Sequence, residues 1–297
     1  MSYKNEKTVV YHNGEWIKAD DAQTDLYSQT LHYGCGVFEG IRAYRTAGGT
    51  NIFKAKEHYE RLKFSAEKMH MTFNYTVEQL ESLTFELLKR NGLKDAYIRP
   101  LVYVDAYMHL TPAQRSGLFI AAWEWPNLFF DKELNIMTSS YRRPDPRSCH
   151  VEAKVTGHYT NSLLSSTEAR VKGFDEALLM DVNGFVAEGP GANFFFEKDG
   201  VLYTPPQGNI LPGITRQTIM DLADYLGIDV KEVAFTPQDV HGADSAFFTG
   251  TAAEVSPISS LDGHSFKLNW EDSLGYVLQR RYQLKVTRKD EEALALL

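Results

Sequence analysis

Glu152-Ala153-Lys154-Val155-Thr156-Gly157-His158-Tyr159 opens the most informative stretch of this chain, and Asn183-Gly184-Phe185-Val186-Ala187-Glu188-Gly189-Pro190-Gly191-Ala192-Asn193-Phe194 closes it. Lys154 stands between Ala153 and Val155, so its amine is a candidate nucleophile in a partly apolar setting. Glu188 stands against a Gly-Pro-Gly turn that leads into the aromatic run Phe194-Phe195-Phe196. A carboxylate at the mouth of a buried strand needs a cationic partner or hydrogen-bond donors. Most Lys and Glu residues are solvated surface charges, so neither residue decides anything by itself.

A third element follows at Leu211-Pro212-Gly213-Ile214-Thr215-Arg216. Pro-Gly makes a turn, and the residues after it enter a helix with Ile219, Leu222, Ala223 and Leu226 on one face and Gly227 as the stop. The amides of Ile214 and Thr215, with the Thr215 hydroxyl, would point at an anion. Taken alone, the segment reads better as an ordinary helix start. Phe248-Thr249-Gly250-Thr251-Ala252-Ala253-Glu254 is a second anion candidate, a strand ending in a small-residue turn, with a plain loop as its alternative. Arg61 lies four residues after Glu57, so a surface ion pair competes with phosphate binding there. Neither Gly34-Cys35-Gly36 nor Gly189-Pro190-Gly191 has the spacing of a dinucleotide fingerprint. The nine histidines include no HExxH pair, and no metal is assigned.

Around this stretch the chain has ordinary globular proportions. Its 297 residues, 43% hydrophobic and 24% charged, support two domains or one large one. A net charge of −8 argues against nucleic acid and anionic membrane as partners. The N-terminal MSYKNEKTVVYHNGEW has no apolar signal core, and no apolar run is long enough for a membrane span. Cys35 and Cys149 form no CxxC and suit a reducing compartment. The expectation is a soluble cytoplasmic protein.

Hairpins are predicted at Asn13-Gly14, Asn183-Gly184, Asp199-Gly200 and Asp262-Gly263, because these pairs supply the positive φ of a type I′ turn. Helices are predicted over 57–69, 76–91, 161–172, 215–226 and 271–282; the second starts with a Thr76/Gln79 capping box and stops at Gly92. Strands are predicted at 97–103, 118–123, 136–139, 177–181, 192–196, 201–203 and 245–249. Pro126 and Asn127 interrupt the pattern. The expected division is a smaller N-terminal α+β domain over 1–126, a linker over 127–134 and a larger C-terminal, cofactor-binding domain over 135–297.

Pyridoxal 5′-phosphate would answer all three demands: a lysine for the Schiff base, an acid for the ring nitrogen, and backbone amides for the phosphate. Val37-Phe38-Glu39-Gly40-Ile41-Arg42-Ala43-Tyr44, Tyr97-Ile98-Arg99-Pro100 and the series from Lys154 to Gly250-Thr251-Ala252-Ala253-Glu254 together resemble the branched-chain amino-acid aminotransferases of class IV, or fold-type IV. The likeness runs from about Asn13 to Leu261. It implies an α+β, two-domain enzyme with the cofactor between its domains. Lys154 would be the Schiff-base and proton-shuttling lysine, Glu188 the partner of the pyridine nitrogen, and Tyr159 that of the ring oxygen. Arg61, Ile214, Thr215 and Thr251 would hold the phosphate. Tyr97 and the amides of Thr251 and Ala252 would take the substrate α-carboxylate. Phe38, Tyr33, Arg99 and Trp125 would line the side-chain pocket, a second subunit being an alternative source of Tyr33.

What the resemblance implies is transfer of the amino group of leucine, isoleucine or valine to 2-oxoglutarate, in a homodimer or larger assembly. Two segments depart from well-known members: Asp105-Ala106-Tyr107-Met108-His109-Leu110 replaces a GMGV-like turn, and Pro126-Asn127-Leu128-Phe129 lacks a tyrosine. Both bear on side-chain preference. Rival readings are a D-amino-acid aminotransferase or aminodeoxychorismate lyase of the same class, and a non-catalytic small-molecule-binding protein on the same fold.

Overall fold

A computed structural model describes residues 3–125 and 132–289. The segment Pro126-Asn127-Leu128-Phe129 lies outside the described residues. The chain groups into two compact units: Met1–Pro126 with Ala153–His158 and Val286–Arg288, and Asn127–Glu152 with Tyr159–Lys285 and Lys289–Leu297. Both contain helices and strands, an α+β fold.

The first unit opens with the hairpin of β1 (Val9–His12) and β2 (Glu15–Lys18), where Asn13 and Gly14 take φ values of 50° and 99°. Next come α1 (Gln29–Tyr33), β3 (Gly36–Phe38), β4 (Ile41–Thr46) and β5 (Gly49–Ile52). Then follow α2 (Ala55–Lys68), α3 (Val77–Asn91), β6 (Ala96–Tyr103) and β7 (Gly117–Trp123). The sheet order is β2-β1-β7-β6-β4-β5, with β3 also on β6. The α3 capping box forms as expected: the Gln79 amide donates to Thr76 Oγ1 at 3.2 Å, and the Thr76 amide to Gln79 Oε1 at 2.8 Å.

Alternation gives this sheet two unlike faces. Ile98, Val102, Leu118, Ile120 and Ala122 form a core with Leu62, Leu80 and Leu87 of the two long helices. The other face presents Tyr97 opposite Trp123, Arg99 opposite Ala121, and Phe38 opposite Leu101. That face is aromatic and cationic.

The expected domain boundaries make no provision for Ala153–His158 packing with the first unit. Its backbone explains the grouping. The Phe38 amide donates to the Lys154 carbonyl at 3.1 Å, the Gly157 amide to the Gly34 carbonyl at 3.1 Å, and Val37 bridges Val155.

The second unit runs β8 (Leu134–Arg142), α4 (Tyr159–Val171), β9 (Glu176–Met180), β10 (Val186–Glu188), β11 (Asn193–Lys198) and β12 (Val201–Thr204). It continues with α5 (Ile214–Tyr225), β13 (Val230–Glu232), α6 (Pro237–Val240), β14 (Ser245–Gly250), β15 (Glu254–Leu261), β16 (His264–Ser265) and α7 (Leu274–Val286). The strand order is β10-β9-β8-β15-β14-β11-β12-β13. Glu188 also pairs with Asn193 across β10 and β11, so β10-β9-β8-β15-β14-β11 is a closed ring of pairings. Phe194, Phe196 and Phe248 join Leu178, Val186 and Ile258 in one core, while Phe195 and Phe247 stack at 5.1 Å.

Asp199-Gly200 and Asp262-Gly263 make the expected turns, with φ of 53° and 74°, and of 52° and 81°. Asn183-Gly184 does not. Only Gly184 has positive φ, and the connection is longer than two residues because Asp181 organises it. Its Oδ1 accepts from the amides of Asn183 (2.9 Å) and Phe185 (3.0 Å), a local alternative to the tight turn. The last helix starts later than the expected 271–282 because Trp270–Asp272 forms a 3₁₀ turn first. Among the described residues no helix is long and apolar enough to cross a membrane.

Phe194 is fully buried and packs edge-on against Phe248 at 5.9 Å. Phe194→Ala should cost about 3–5 kcal/mol of stability, read from urea denaturation. A loss under about 1 kcal/mol would show that the ring does not support the closed sheet.

Candidate active site

In the first unit one face of α2 carries His58, Arg61 and Ser65. Arg61 Nε donates to Glu39 Oε1 at 2.6 Å and Nη2 to Glu39 Oε2 at 2.9 Å. His58 Nδ1 lies 2.8 Å from the same Oε2. Glu39 is 0% and His58 2% exposed. Burial works to raise the Glu39 carboxyl, but the Arg61 charge and the His58 contact override it and hold the group well below the usual carboxylate range. Burial pushes the His58 imidazole down; Glu39 acts the other way, and Arg61 and Lys154 add to the lowering. Against an ionised carboxylate, which can only accept, the His58 Nδ1–H is the donor. The expected alternative for Arg61, a surface pair with Glu57, is overturned: Glu57 pairs with Lys54 at 2.6 Å.

The same helix face fixes the lysine. The Lys154 amide donates to Ser65 Oγ at 3.0 Å, Ala153 and Val155 are buried, and Lys154 Nζ lies 5.0 Å from the centre of the Phe38 ring.

The aromatic face of the sheet brings the expected pocket residues together. Arg99 Cζ lies 4.7 Å from the Phe38 ring centre and 5.3 Å from that of Tyr97, and Arg99 Nη2 donates to the Tyr97 hydroxyl at 3.1 Å. Arg99 Nε is buried with no hydrogen-bond partner among the described residues. The Tyr97 ring packs on Trp123 (5.2 Å) and Trp125 (5.0 Å). Tyr33, at the end of α1, is 46% exposed and stands apart from this cluster. The departing loop is tied to the chain around the start of α1, since the Tyr107 amide donates to the Tyr27 carbonyl at 3.1 Å and Gln29 Nε2 to the His109 carbonyl at 2.6 Å.

In the second unit Glu188 is 5% exposed and well supplied. Arg143 Nε lies 2.9 Å from Glu188 Oε1, a close ion pair and not a directed hydrogen bond. Asn193 Nδ2 donates to Glu188 Oε2 at 2.9 Å, and the Leu211 amide lies 3.2 Å from each carboxylate oxygen. Asn193 is opposite both Glu188 and Thr249, so the three side chains share one face. Thr249 Oγ1 is fully buried without a hydrogen-bond partner among the described residues.

Ile214 and Thr215 are the first residues of α5. Its N-cap is Gly213, with no side-chain cap hydrogen bond. Thr251 and Ala252 form the turn between β14 and β15, and Tyr159 is the first residue of α4.

Sequence reasoning assigned no role to Glu39, His58, Ser65, Arg143 or Asn193. Only Glu39 and Asn193 lie inside motifs it singled out. For His58 and Arg143 the signal was that a buried acid needs a cation or donors, which names a kind of partner but no position; for Ser65, which accepts the Lys154 amide, there was none.

Residues 36–261 match the family model described as Amino-transferase class IV. The chain belongs to that class. Within it, the chain is a member of the branched-chain-amino-acid aminotransferase family. It is 41% identical to the branched-chain-amino-acid aminotransferase of Pseudomonas aeruginosa over 98% of this chain and 97% of that one. It is similar to the structure of the branched-chain amino acid aminotransferase of Thermobaculum terrenum in its PLP form, with a TM-score of 0.91, 31% identity and 97% coverage of both chains. The branched-chain aminotransferase of Thermoproteus uzoniensis with norvaline gives a TM-score of 0.92, 36% identity and 97% coverage of both chains.

Gly40 makes the pocket's closest approach: a Cβ there would lie 1.9 Å from the Tyr97 hydroxyl and 2.7 Å from Cζ. Gly40→Ala should destabilise by about 1–3 kcal/mol and shift tryptophan fluorescence through Trp123 and Trp125. Adding Tyr97→Phe should restore part of that loss in a urea titration. Full additivity of the two changes would disprove the clash.

Proposed function

We propose that this protein transfers the amino group of leucine, isoleucine or valine to 2-oxoglutarate, with pyridoxal 5′-phosphate as cofactor. Its residues fit that group. Thr249 Oγ1 is buried with no hydrogen-bond partner among the described residues, the N-cap of α5 makes no side-chain cap, and Glu188 is a buried carboxylate held by donors. When bound, pyridoxal phosphate supplies an aldehyde that condenses with an amine and a ring that takes up the electrons of a broken Cα–H bond.

Lys154 would be the amine for that aldehyde and the base for the substrate Cα proton. Ser65 and Phe38 grip its backbone on both sides, so only the side chain needs to move. Glu188 holds the positive charge of the ring nitrogen, and its bonds to Asn193 and Leu211 aim it. Tyr159 donates to the ring oxygen. Arg61, Ile214, Thr215 and Thr251 hold the phosphate, the last three through backbone and hydroxyl donors. Tyr97 and the amides of Thr251 and Ala252 orient the substrate α-carboxylate. Phe38, Arg99, Trp125 and Tyr33 set the side-chain pocket; Tyr33 is exposed at the end of its helix and suits a second subunit. A cytoplasmic homodimer is the assembly this reading expects.

The observation that carries the substrate assignment is Arg99 lying over the rings of Phe38 and Tyr97. An isobutyl group and a γ-carboxylate must enter the same pocket in alternate half-reactions. The rings serve the first and the guanidinium serves the second. Val37-Phe38-Glu39-Gly40-Ile41-Arg42 and Tyr97-Ile98-Arg99-Pro100 argue against a D-amino-acid aminotransferase or a lyase of the same class, and a non-catalytic binder has no need of a gripped lysine.

A panel of L- and D-amino acids with 2-oxoglutarate, scored for glutamate formed, tests the assignment; activity confined to D-amino acids would overturn it. Lys154→Ala should lose the visible absorbance of the lysine-bound cofactor and several orders of magnitude in turnover. A variant that still transaminates at the wild-type rate would remove Lys154 from the chemistry. Arg99→Met should slow the glutamate half-reaction roughly ten- to 150-fold, as expected for hydrogen bonds to a charge, and the leucine half-reaction much less. Equal losses would mean that Arg99 supports the fold and does not discriminate.

A further inference from the structure

We propose that Glu39 is a positioning residue that sets the plane of the Arg61 guanidinium for an anionic phosphate, with His58 as the clamp that fixes Glu39. The inference rests on the assignment of Arg61 to the cofactor phosphate and extends it to residues with no assigned role.

Glu39 follows Phe38 at the end of β3, a strand whose residues are all buried, and its carboxylate is itself wholly buried. A buried carboxylate is held there only by partners. Arg61 uses Nε and one Nη2 donor on it, the parallel fork that defines a guanidinium plane. Only 11% of the Arg61 side chain is exposed, so it has little room for other rotamers. His58 sits one turn earlier on the same helix and donates to the oxygen that Nη2 also uses. The Gly40 amide reaches that oxygen at 3.3 Å. Donors from the helix and from the strand end therefore converge on one carboxylate.

Structure alone does not require a cation here. A neutral side chain at position 61 with an apolar one at 39 would fill the same space without the desolvation cost of two charges. A pair so costly to bury is expected where its orientation is used. A point charge on a flexible stem could attract an anion, but a guanidinium locked along one edge directs its donors along fixed lines. Ser65, two turns after His58, receives the Lys154 amide from the same helix face. One rigid helix thus references both the phosphate-binding cation and the reacting lysine, and Glu39 keys the first to the sheet.

The test is the release rate of cofactor from the holoenzyme, trapped by excess apo-acceptor, in wild type, Glu39→Gln, Arg61→Met and the double variant. Glu39→Gln keeps the shape but loses the charge and one acceptor, and should release cofactor about 10- to 100-fold faster. The double variant should release no faster than Arg61→Met, because Glu39 acts through Arg61. The ³¹P resonance of the bound phosphate should also move in Glu39→Gln, and stay in place in Thr76→Ala, which weakens a distant helix cap.

Wild-type release from Glu39→Gln, or the same acceleration in the Arg61→Met background, overturns the proposal and leaves the phosphate assignment intact. Wild-type release from Arg61→Met overturns both. If Glu39→Gln does not accumulate as folded holoenzyme, Glu39→Asp replaces it, since it keeps the charge but is too short for the fork; the same release and ³¹P criteria then decide.

Discussion

A carboxylate cannot be buried alone, and this fold is arranged around that constraint at two places. Glu39 in the first unit and Glu188 in the second are nearly inaccessible, and each draws a cation and further donors from separate elements. At Glu39 the side-chain donors come from a helix; at Glu188 the cation Arg143 follows the end of β8, Asn193 donates from β11 and Leu211 gives a loop backbone amide. Because several elements must deliver donors to one point, each carboxylate fixes their mutual placement. The cost of leaving one donor out is the desolvation of a buried charge, which exceeds the net worth of an ordinary hydrogen bond.

Two alternations then separate support from chemistry. In the first sheet, Ile98 and Val102 point into the apolar core while Tyr97 and Arg99, on either side of Ile98, point to the aromatic face. In the second, Phe194 and Phe248 enter the core while Asn193 and Thr249 stand with Glu188 on the opposite face. A one-residue slip in either sheet would exchange the faces, so the core packing that holds the register also holds the site. The extra pairing of Glu188 with Asn193 closes the ring of strands and orders the carboxylate with the same contact.

Much of this was legible in the sequence because the signals were local. Thr76 with Gln79, Gly92 and Asn13-Gly14 each act within a few residues, and each takes the expected conformation. Asn183-Gly184 misled for a local reason as well: Asp181, two residues earlier, offers a competing Asx interaction that a dipeptide rule ignores. The partners of the buried charges were not legible. Arg61 had Glu57 one turn away, and sequence distance favoured it over Glu39. Arg143 and Glu188 meet because β8 runs parallel to β9, which pairs with β10, and pairings of that kind leave no mark in either segment. The packing of Ala153–His158 with the first unit has the same origin, in backbone bonds to Gly34 and Phe38.

The arrangement at Arg99 shows how one cation can sit in an apolar pocket without opposing it. Its charge and its in-plane donors are used differently. The charge lies over the rings of Phe38 and Tyr97, whose quadrupoles attract it by about 0.5–2 kcal/mol without hydrogen bonds. One in-plane donor meets the Tyr97 hydroxyl, and Nε meets nothing among the described residues. A charge placed over two rings stays tolerable when an aliphatic group fills the space beside it. The same charge keeps in-plane capacity for a carboxylate, whose charge-assisted bonds are stronger than the contacts they add to. A lysine would offer only a compact point charge, without a planar set of donors for a carboxylate. Under the proposed function, the dual demand on the pocket would therefore select an arginine placed over aromatic rings.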